Sequence, residues 1–329
     1  MTTAAAATRA VREERSGPRT RPPAKRWSPA PRGVPYAFLV PAFVLFTAAF
    51  LVPLGYTIYL STQKSEVQGL GLYHAARKQI FAGFGNYAAV FHDSEFWHSV
   101  LRALIYGCIL IPLMLGLAAV FALILDAQRV KFQRLGRIAI FLPYAVPTII
   151  GSMLWGIMYL PAVSPFNSVL HSWFGGNGID FFGSHVVYLS IANIGVWGGT
   201  GFNMMVLYTA LRALPQEVYE AARLDGSSEL QIALRIKLPM IRPSVIMTAI
   251  FSTIATLQAF NEPNTLHQLS YGVVSSTWVP LMKIYHDAYT GNDIYAGSAE
   301  SIVIAALMFG ASLAVLRLTN RQIFGSEGK

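Results

Sequence analysis

Between Val34 and Leu60 the chain carries no charged side chain. At about 1.5 Å of rise per helical residue this stretch reaches roughly 40 Å, more than the ~30 Å hydrocarbon core of a bilayer. Backbone amides in hydrocarbon must be satisfied within the chain itself, so the stretch is expected to be a membrane-spanning helix, with Pro41 and Pro53 as tolerated kinks. Five more apolar segments follow, at about 96–125, 138–160, 186–213, 244–266 and 299–318. Arg102 lies near the outer end of the second, where a long side chain can snorkel, and Pro143 and Pro147 lie a turn apart in the third. The expected fold is therefore all-α: a polytopic membrane protein whose membrane domain, 34–319, holds six transmembrane helices.

Composition agrees, with 54% hydrophobic and 12% charged residues against about 25% charged in ordinary soluble domains. The net charge of +9 raises nucleic acid as a partner, but its distribution follows membrane sidedness instead. Eight Lys and Arg residues lie in the tail to Arg32, four in Asp126–Arg137, five in Arg212–Arg242 and three from Arg317 onward. The opposite loops hold Lys64, Arg77, Lys78 and Lys283. By the positive-inside rule both termini and the 214–243 loop face the cytoplasm. Residues 1–33 read as a disordered basic cytoplasmic tail; their charged region is too long for a secretory signal, and 320–329 form a second short tail. The single cysteine, Cys108, excludes an internal disulfide and reads as packing, and the seven dispersed histidines suggest no metal site.

The polar, charge-rich interval after the fourth span begins Leu214-Pro215-Gln216-Glu217-Val218-Tyr219-Glu220-Ala221-Ala222-Arg223-Leu224-Asp225-Gly226. Pro215 suits a helix start, Glu217 a first turn, and Gly226 the left-handed position that ends a helix. Ser228 with Gln231 matches a capping box, so a second helix begins at once, with Leu230, Ala233 and Leu234 on one face. The expected product is a helical elbow whose Val218, Ala221 and Ala222 share a side small enough for another surface to approach closely. An amphipathic connector lying on the bilayer surface fits the same spacing.

Glu220-Ala221-Ala222, Asp225-Gly226, Ile236, Leu238-Pro239 and Pro243 together resemble the EAA loop of permease subunits of bacterial ATP-binding-cassette importers. Ser227 stands where alanine is usual, and Ala233 where many members carry a bulky aromatic residue. Before the second span, Gly83-x-x-Asn86-Tyr87 and Asp93-x-x-Phe96-Trp97 resemble the external segment of MalF-type permeases of carbohydrate importers. The resemblance implies an ABC type I importer permease fold in a bacterial plasma membrane. It also implies a second homologous permease, two ATPase subunits that bind ATP and Mg, and an extracytoplasmic solute-binding protein. The ATPase-coupling residues it implies are Glu220, Ala221, Ala222, Asp225, Gly226, Leu238 and Pro239; no cofactor is implied for this chain itself.

Polar groups within spans are candidate pathway residues. The fourth span offers Asn193, Trp197, Gly199, Phe202 and Asn203, and the fifth offers Gln258, Asn261 and Glu262 before Pro263. Gln258 and Asn261, three apart, are expected on one helix face. In MalF-like permeases the corresponding segments line the sugar site, and Phe260-Asn261-Glu262-Pro263 resembles one of them. Amides bond sugar hydroxyls and aromatic rings stack on sugar C–H faces; interhelical packing is the competing role for the same residues. Glu300, Asp287 and Asp293 read as solvated carboxylates of an external loop. The chain has no GxxxxGK[ST], GxSxG or HExxH motif and no expected catalytic residue. The rival readings are a different small solute (an amino acid, polyamine or phosphate) and an ion-coupled secondary transporter.

Overall fold

The structure is a computed structural model, described for residues 34–68, 76–127, 131–175 and 178–324. The 1–33 tail, Arg129, Gly176-Asn177 and residues 325–329 lie outside the described residues. The described residues divide into two compact units, with the boundary between Leu54 and Gly55. In the first, α1 (Val34–Phe46) passes Pro41 unbroken into a π turn at Thr47–Leu51. Phe38, Phe43 and Phe50 are exposed, as suits side chains meant for hydrocarbon. Helix α2 (Val52–Ser61) follows.

The polar segment after Ser61 folds into a hairpin: β1 (Gln63–Gln68) pairs antiparallel with β2 (Ala76–Phe81), Gln63 opposite Phe81. Helix α3 (Gly85–His92) is fastened to it by the Gly-x-x-Asn-Tyr residues. Asn86 Nδ2 donates to the carbonyls of Ser61 and Gln63, at 2.8 and 2.6 Å, and the Tyr87 and Ser61 hydroxyls lie 2.6 Å apart. Asp93 then caps α4 (Ser94–Asp126), accepting from the Glu95 N–H at 2.9 Å.

The third apolar segment is not one straight span. It forms α5 (Gln133–Ala145) and α6 (Thr148–Tyr159), bent by 92°. Pro147 has no N–H and pushes Val146 out of the helical region, to ψ 129, so the chain turns there, while Pro143 stays inside α5. The expected loop of 161–185 contains α7 (Pro165–Phe174), capped by Ser164 and ended by Gly175 at φ 65. Helix α8 (Val187–Arg212) is unbroken. Among the described residues four helices are long and apolar enough to cross a bilayer, or five if the α5–α6 pair counts as one span. Its glycines and asparagines lower the hydropathy of α8, which is long enough at about 39 Å but is not one of the four.

After the elbow, α12 (Arg242–Leu257) ends at Gln258 and α13 (Asn261–His267) starts three residues later. Helix α14 (Pro280–Tyr285) leads through a π turn at His286–Thr290 to α15 (Ile294–Phe324), which runs beyond the expected end at 318.

Helices α4 and α8 form the centre, with Tyr106, Leu110 and Met114 packed against Ile191 and Ile194. In lipid, apolar burial hardly favours helix contact over hydrocarbon contact, so close approach of small residues must supply the packing. A Cβ on Gly195 would lie 2.8 Å from Leu110 Cδ1, one on Gly199 2.5 Å from Met114 Sδ, and one on Gly201 2.7 Å from Phe141 Cα. The glycine density of α8 therefore marks two crossings, with α4 and with α5. Cys108 is exposed on α4 rather than packed in the core.

Candidate functional site: a mid-bundle cavity and a helical elbow

A cavity of about 600 Å³ opens between α4, α5, α6, α8, α12 and the Gln258–Glu262 segment. Trp197, Gly199, Phe202, Asn203, Gln258, Asn261 and Glu262 all line it. Asn193 does not line it: its Nδ2 donates to Tyr159 Oη at 2.8 Å, and that hydroxyl donates to the Ser190 carbonyl at 3.1 Å, so Asn193 serves helix packing. Gln258 and Asn261 do not share a helix face, because the helix breaks between them. The break itself carries both side chains into the wall, together with Phe260.

Asn203 is buried, and its Nδ2 donates to the Gly199 carbonyl at 3.0 Å with Met114 Sδ at 3.6 Å. Gln258 Nε2 faces Met308 Sδ at 3.9 Å, a weak contact that leaves the amide free for a better partner. Aromatic surface comes from Trp197, whose ring meets Trp155 edge-on at 6.1 Å, and from the stacked Tyr144–Phe202 pair at 5.0 Å. Sequence reasoning missed Tyr106, Tyr144, Thr248, Phe251 and Ser252 in this wall. Spacing could have found two of them: Thr248, Ser252 and Thr256 stand four apart along one side of α12. Thr248 and Thr256 donate their hydroxyls to carbonyls of their own helix, at 2.8 and 2.7 Å, which leaves oxygen lone pairs as acceptors. Among the described residues, Glu262 is the one formally charged member of the lining.

On the side of the hairpin a second polar cluster braces the helix ends. Lys283 Nζ, 6% exposed as a side chain, lies 2.8 Å from Asp93, 2.5 Å from Asp287 and 3.1 Å from Glu300. Glu300 is 2% exposed, so it is not a solvated loop carboxylate, and neither is Asp287; Asp293 caps α15 through the Tyr295 and Ala296 N–H groups. The three carboxylates sit close enough to hold a metal ion, but the ammonium already bonds to each of them. Burial pulls Asp93 and Asp287 upward, yet Lys283 outweighs it and both stay below the usual carboxylate range. Burial pulls Lys283 down, and its three carboxylate partners raise it further than burial lowers it.

The elbow has the predicted caps. Helix α9 (Gln216–Leu224) ends in a Schellman motif: Ser227 N–H bonds the Ala222 carbonyl, Gly226 N–H bonds the Arg223 carbonyl, both at 3.0 Å, and Gly226 has φ 81. Ser228 and Gln231 form the reciprocal capping box that starts α10 (Glu229–Ile232). A π turn at Ala233–Lys237 and α11 (Leu238–Met240) return the chain to α12.

Ala222 does not share the open side with Val218 and Ala221. It packs inward with Tyr219 and Ile232, while Val218, Ala221 and Leu224, the last 89% exposed, line the outer side. Glu220, Asp225, Gly226 and Pro239 are exposed, and Leu238 packs at the root of the elbow against the cluster of Leu125, Leu211 and Ile241. Leu230 and Leu234 are exposed too, so the elbow presents apolar side chains from both helices. Lys237 Nζ meets Asp126 Oδ2 at 2.5 Å, with both residues buried, and lies 4.8 Å from the Tyr219 ring centre.

A family model described as binding-protein-dependent transport system inner membrane component matches residues 83–322, from the Gly-x-x-Asn-Tyr motif through the elbow and into α15. The chain belongs to this family. As a member it is an inner membrane component of a transport system and a membrane protein. It is similar to the trehalose/maltose transport system permease protein MalF of Thermococcus litoralis, at 28% identity over 86% of this chain and 92% of the relative. The sn-glycerol-3-phosphate transport system permease protein UgpA of Rhizobium meliloti is 24% identical over 88% of this chain and 96% of its own length. A chain of the bacterial alginate ABC transporter, solved in complex with alginate pentasaccharide-bound periplasmic protein, matches the fold. That match has a TM-score of 0.74 and 19% identity, and covers 88% of this chain and 94% of the other.

Proposed function

We propose that this chain is a permease subunit of an ATP-driven sugar importer, handling a mono- or oligosaccharide. In this reading it lines the path with a second, homologous permease and takes energy from two cytosolic ATPase subunits through the Glu220–Gly226 elbow. ATP and Mg belong to those subunits, and an extracytoplasmic binding protein delivers the solute. The chain itself catalyses no reaction. The reading rests on one juxtaposition: an amide- and aromatic-lined cavity with a single formal charge among its described residues, joined through α4 to an exposed apolar elbow.

A sugar offers hydroxyls to the Gln258 and Asn261 amides and C–H faces to the Trp197, Phe202 and Phe251 rings. A phosphate or carboxylate solute would meet Glu262 with no cation among the described lining residues to offset it, which disfavours an anionic cargo. The names of the relatives point the same way for the trehalose/maltose protein and against it for the glycerol-phosphate protein. On the ATPase side, Val218, Ala221 and Leu224 would enter a groove of the nucleotide-binding subunit. The excess of Lys and Arg supports a cytoplasmic elbow and cytoplasmic termini.

The test is uptake by proteoliposomes holding the whole complex, offered labelled maltose, trehalose, lactose and sn-glycerol-3-phosphate together with the cognate binding protein. Uptake of a neutral sugar that falls about tenfold or more in Trp197→Ala, the loss of a stacked ring worth ~1.4 kcal/mol or more, supports the reading. Uptake of the phosphate ester alone would sink the sugar assignment.

A further inference from the structure

We propose that the buried Asp126–Lys237 pair, covered by Tyr219, is the positioning device that locks the elbow in register on α4, so that elbow displacement moves the cavity wall. The proposal rests on the reading of the elbow as the ATPase-docking element. Asp126 is the last residue of α4, where the negative end of the helix dipole disfavours a carboxylate. A carboxylate persists there because it has a dedicated partner: Lys237 Nζ at 2.5 Å, from a π turn more than a hundred residues along the chain.

The remaining contacts at the root of the elbow are apolar, with Leu214, Leu238 and Ile241 beside Leu125 and Leu211. Apolar contacts are non-directional and let packed surfaces slide, whereas a desolvated ion pair fixes two atoms to one separation. Tyr219 closes the site on the elbow side: its ring lies 4.8 Å from Lys237 Nζ, and it packs with Ala222 and Ile232, one from each elbow helix. The pair thus touches α9 through Tyr219, and Tyr219 in turn packs on Ile232 of α10.

From Asp126 the link continues along α4. Met114 lies about 18 Å up the helix at ~1.5 Å per residue, with no proline between, and it lines the cavity while packing on Gly199 and Asn203. A helix segment without a break carries a displacement of its end to Met114 as a rigid body. The elbow and the solute cavity are then joined by one ion pair and about three turns of helix.

The test uses the complete complex in nanodiscs. Cys108→Ala removes the native thiol, and Ser252→Cys places a reporter in the cavity wall. Separate proteins carry Leu224→Cys instead, as the attachment point of a cross-linker to the ATPase. With the pair intact, the reaction rate of the cavity thiol with a hydrophilic maleimide should change about tenfold between nucleotide-free and ATP-vanadate states, a two-state shift of ordinary size. In Asp126→Leu/Lys237→Met the apolar replacements keep the volume filled. Combined with Leu224→Cys, that double variant should still cross-link to the ATPase; combined with the cavity reporter, it should no longer respond to nucleotide. The charge-swapped Asp126→Lys/Lys237→Asp protein should respond. A merely stabilising pair would leave the response intact in the apolar variant, and that result overturns the proposal. So does a charge-swapped protein that cross-links but stays silent. Absence of the cross-link from position 224 with the pair intact would instead refute the docking role of the elbow.

Discussion

Replacing Gly201 by alanine tests the packing that shapes the cavity. The added Cβ would sit 2.7 Å from Phe141 Cα, with the Ile140 carbonyl oxygen closer still, and both are backbone atoms that no rotamer change can move. Ordinary contact begins near 3.4 Å, so α5 and α8 must part by at least about 0.7 Å, enough to forfeit a quarter to a half of each contact across the crossing. Overpacking of this kind costs about 1–3 kcal/mol, a factor of roughly 5 to 150 in the population of the native arrangement. Gly198→Ala is the control: nothing lies within 4 Å of its Cβ, and alanine improves helix propensity by up to ~1 kcal/mol. Purified proteins are heated in detergent and the surviving monodisperse fraction is read by size-exclusion chromatography. Gly201→Ala should lose several degrees of midpoint relative to Gly198→Ala. It should also weaken sugar uptake, because Phe202 and Tyr144, stacked at 5.0 Å, flank the same crossing. Equal midpoints for the two variants would refute the claim that close backbone approach holds α5 on α8.

Gly226→Pro should insert and fold but abolish uptake: proline cannot adopt φ 81 and removes the N–H that bonds the Arg223 carbonyl. Uptake at the original rate would count against the coupling role. Lys283→Met leaves three carboxylates without their cation, two of them partly exposed and Glu300 buried. Stranding one partner of a buried pair costs about 3–5 kcal/mol, and a lower thermal midpoint than that of Lys64→Met, a control in the β1 strand, is the expected reading. The pH dependence has a definite sign. Asp93 and Asp287 are held low, so their contribution is present above the unfolded carboxylate value near ~4 and fades as pH falls through their lowered values. Lys283 is held high, so its contribution is complete below ~10.4 and fades only as pH rises through its raised value. The midpoint difference between the original protein and Lys283→Met should therefore shrink as pH falls below ~4, where Asp93 and Asp287 take up protons; a difference that does not shrink on acidification through that range contradicts the cluster. Gln258→Leu should raise the KM for sugar uptake while leaving assembly unchanged, and an unaltered KM would remove Gln258 from the path.

The elbow was legible almost residue by residue, because its start, stop and restart are written in local chemistry: Pro215, Gly226 and the Ser228–Gln231 box each act within a turn of chain. The existence of the apolar helices was equally legible from charge-free length. The 92° turn at Pro147 was not, since a proline inside an apolar run is compatible with a straight, kinked or broken helix, and the surrounding packing selects among these. The break at Gln258–Phe260 does have a local cause, since Pro263 has no N–H for the Ala259 carbonyl and its ring crowds that carbonyl, but prolines are tolerated within membrane helices, so spacing alone put Gln258 and Asn261 on one face. That Asn193 stands outside the cavity wall was not legible, because an amide that bonds a neighbouring tyrosine looks the same in sequence as one that faces a cavity. The Lys283 cluster and the Asp126–Lys237 pair join residues far apart in the chain, and single-sequence patterns carry no signal for such pairing.

Energy supply is the central claim, and sugar uptake with and without the ATPase subunits measures it most directly. Proteoliposomes holding both permeases, the ATPase subunits and internal ATP, with binding protein outside, should accumulate labelled sugar above its external concentration. The same vesicles lacking the ATPase subunits should not. Accumulation by the permeases alone, driven by an imposed ion gradient, would contradict the account.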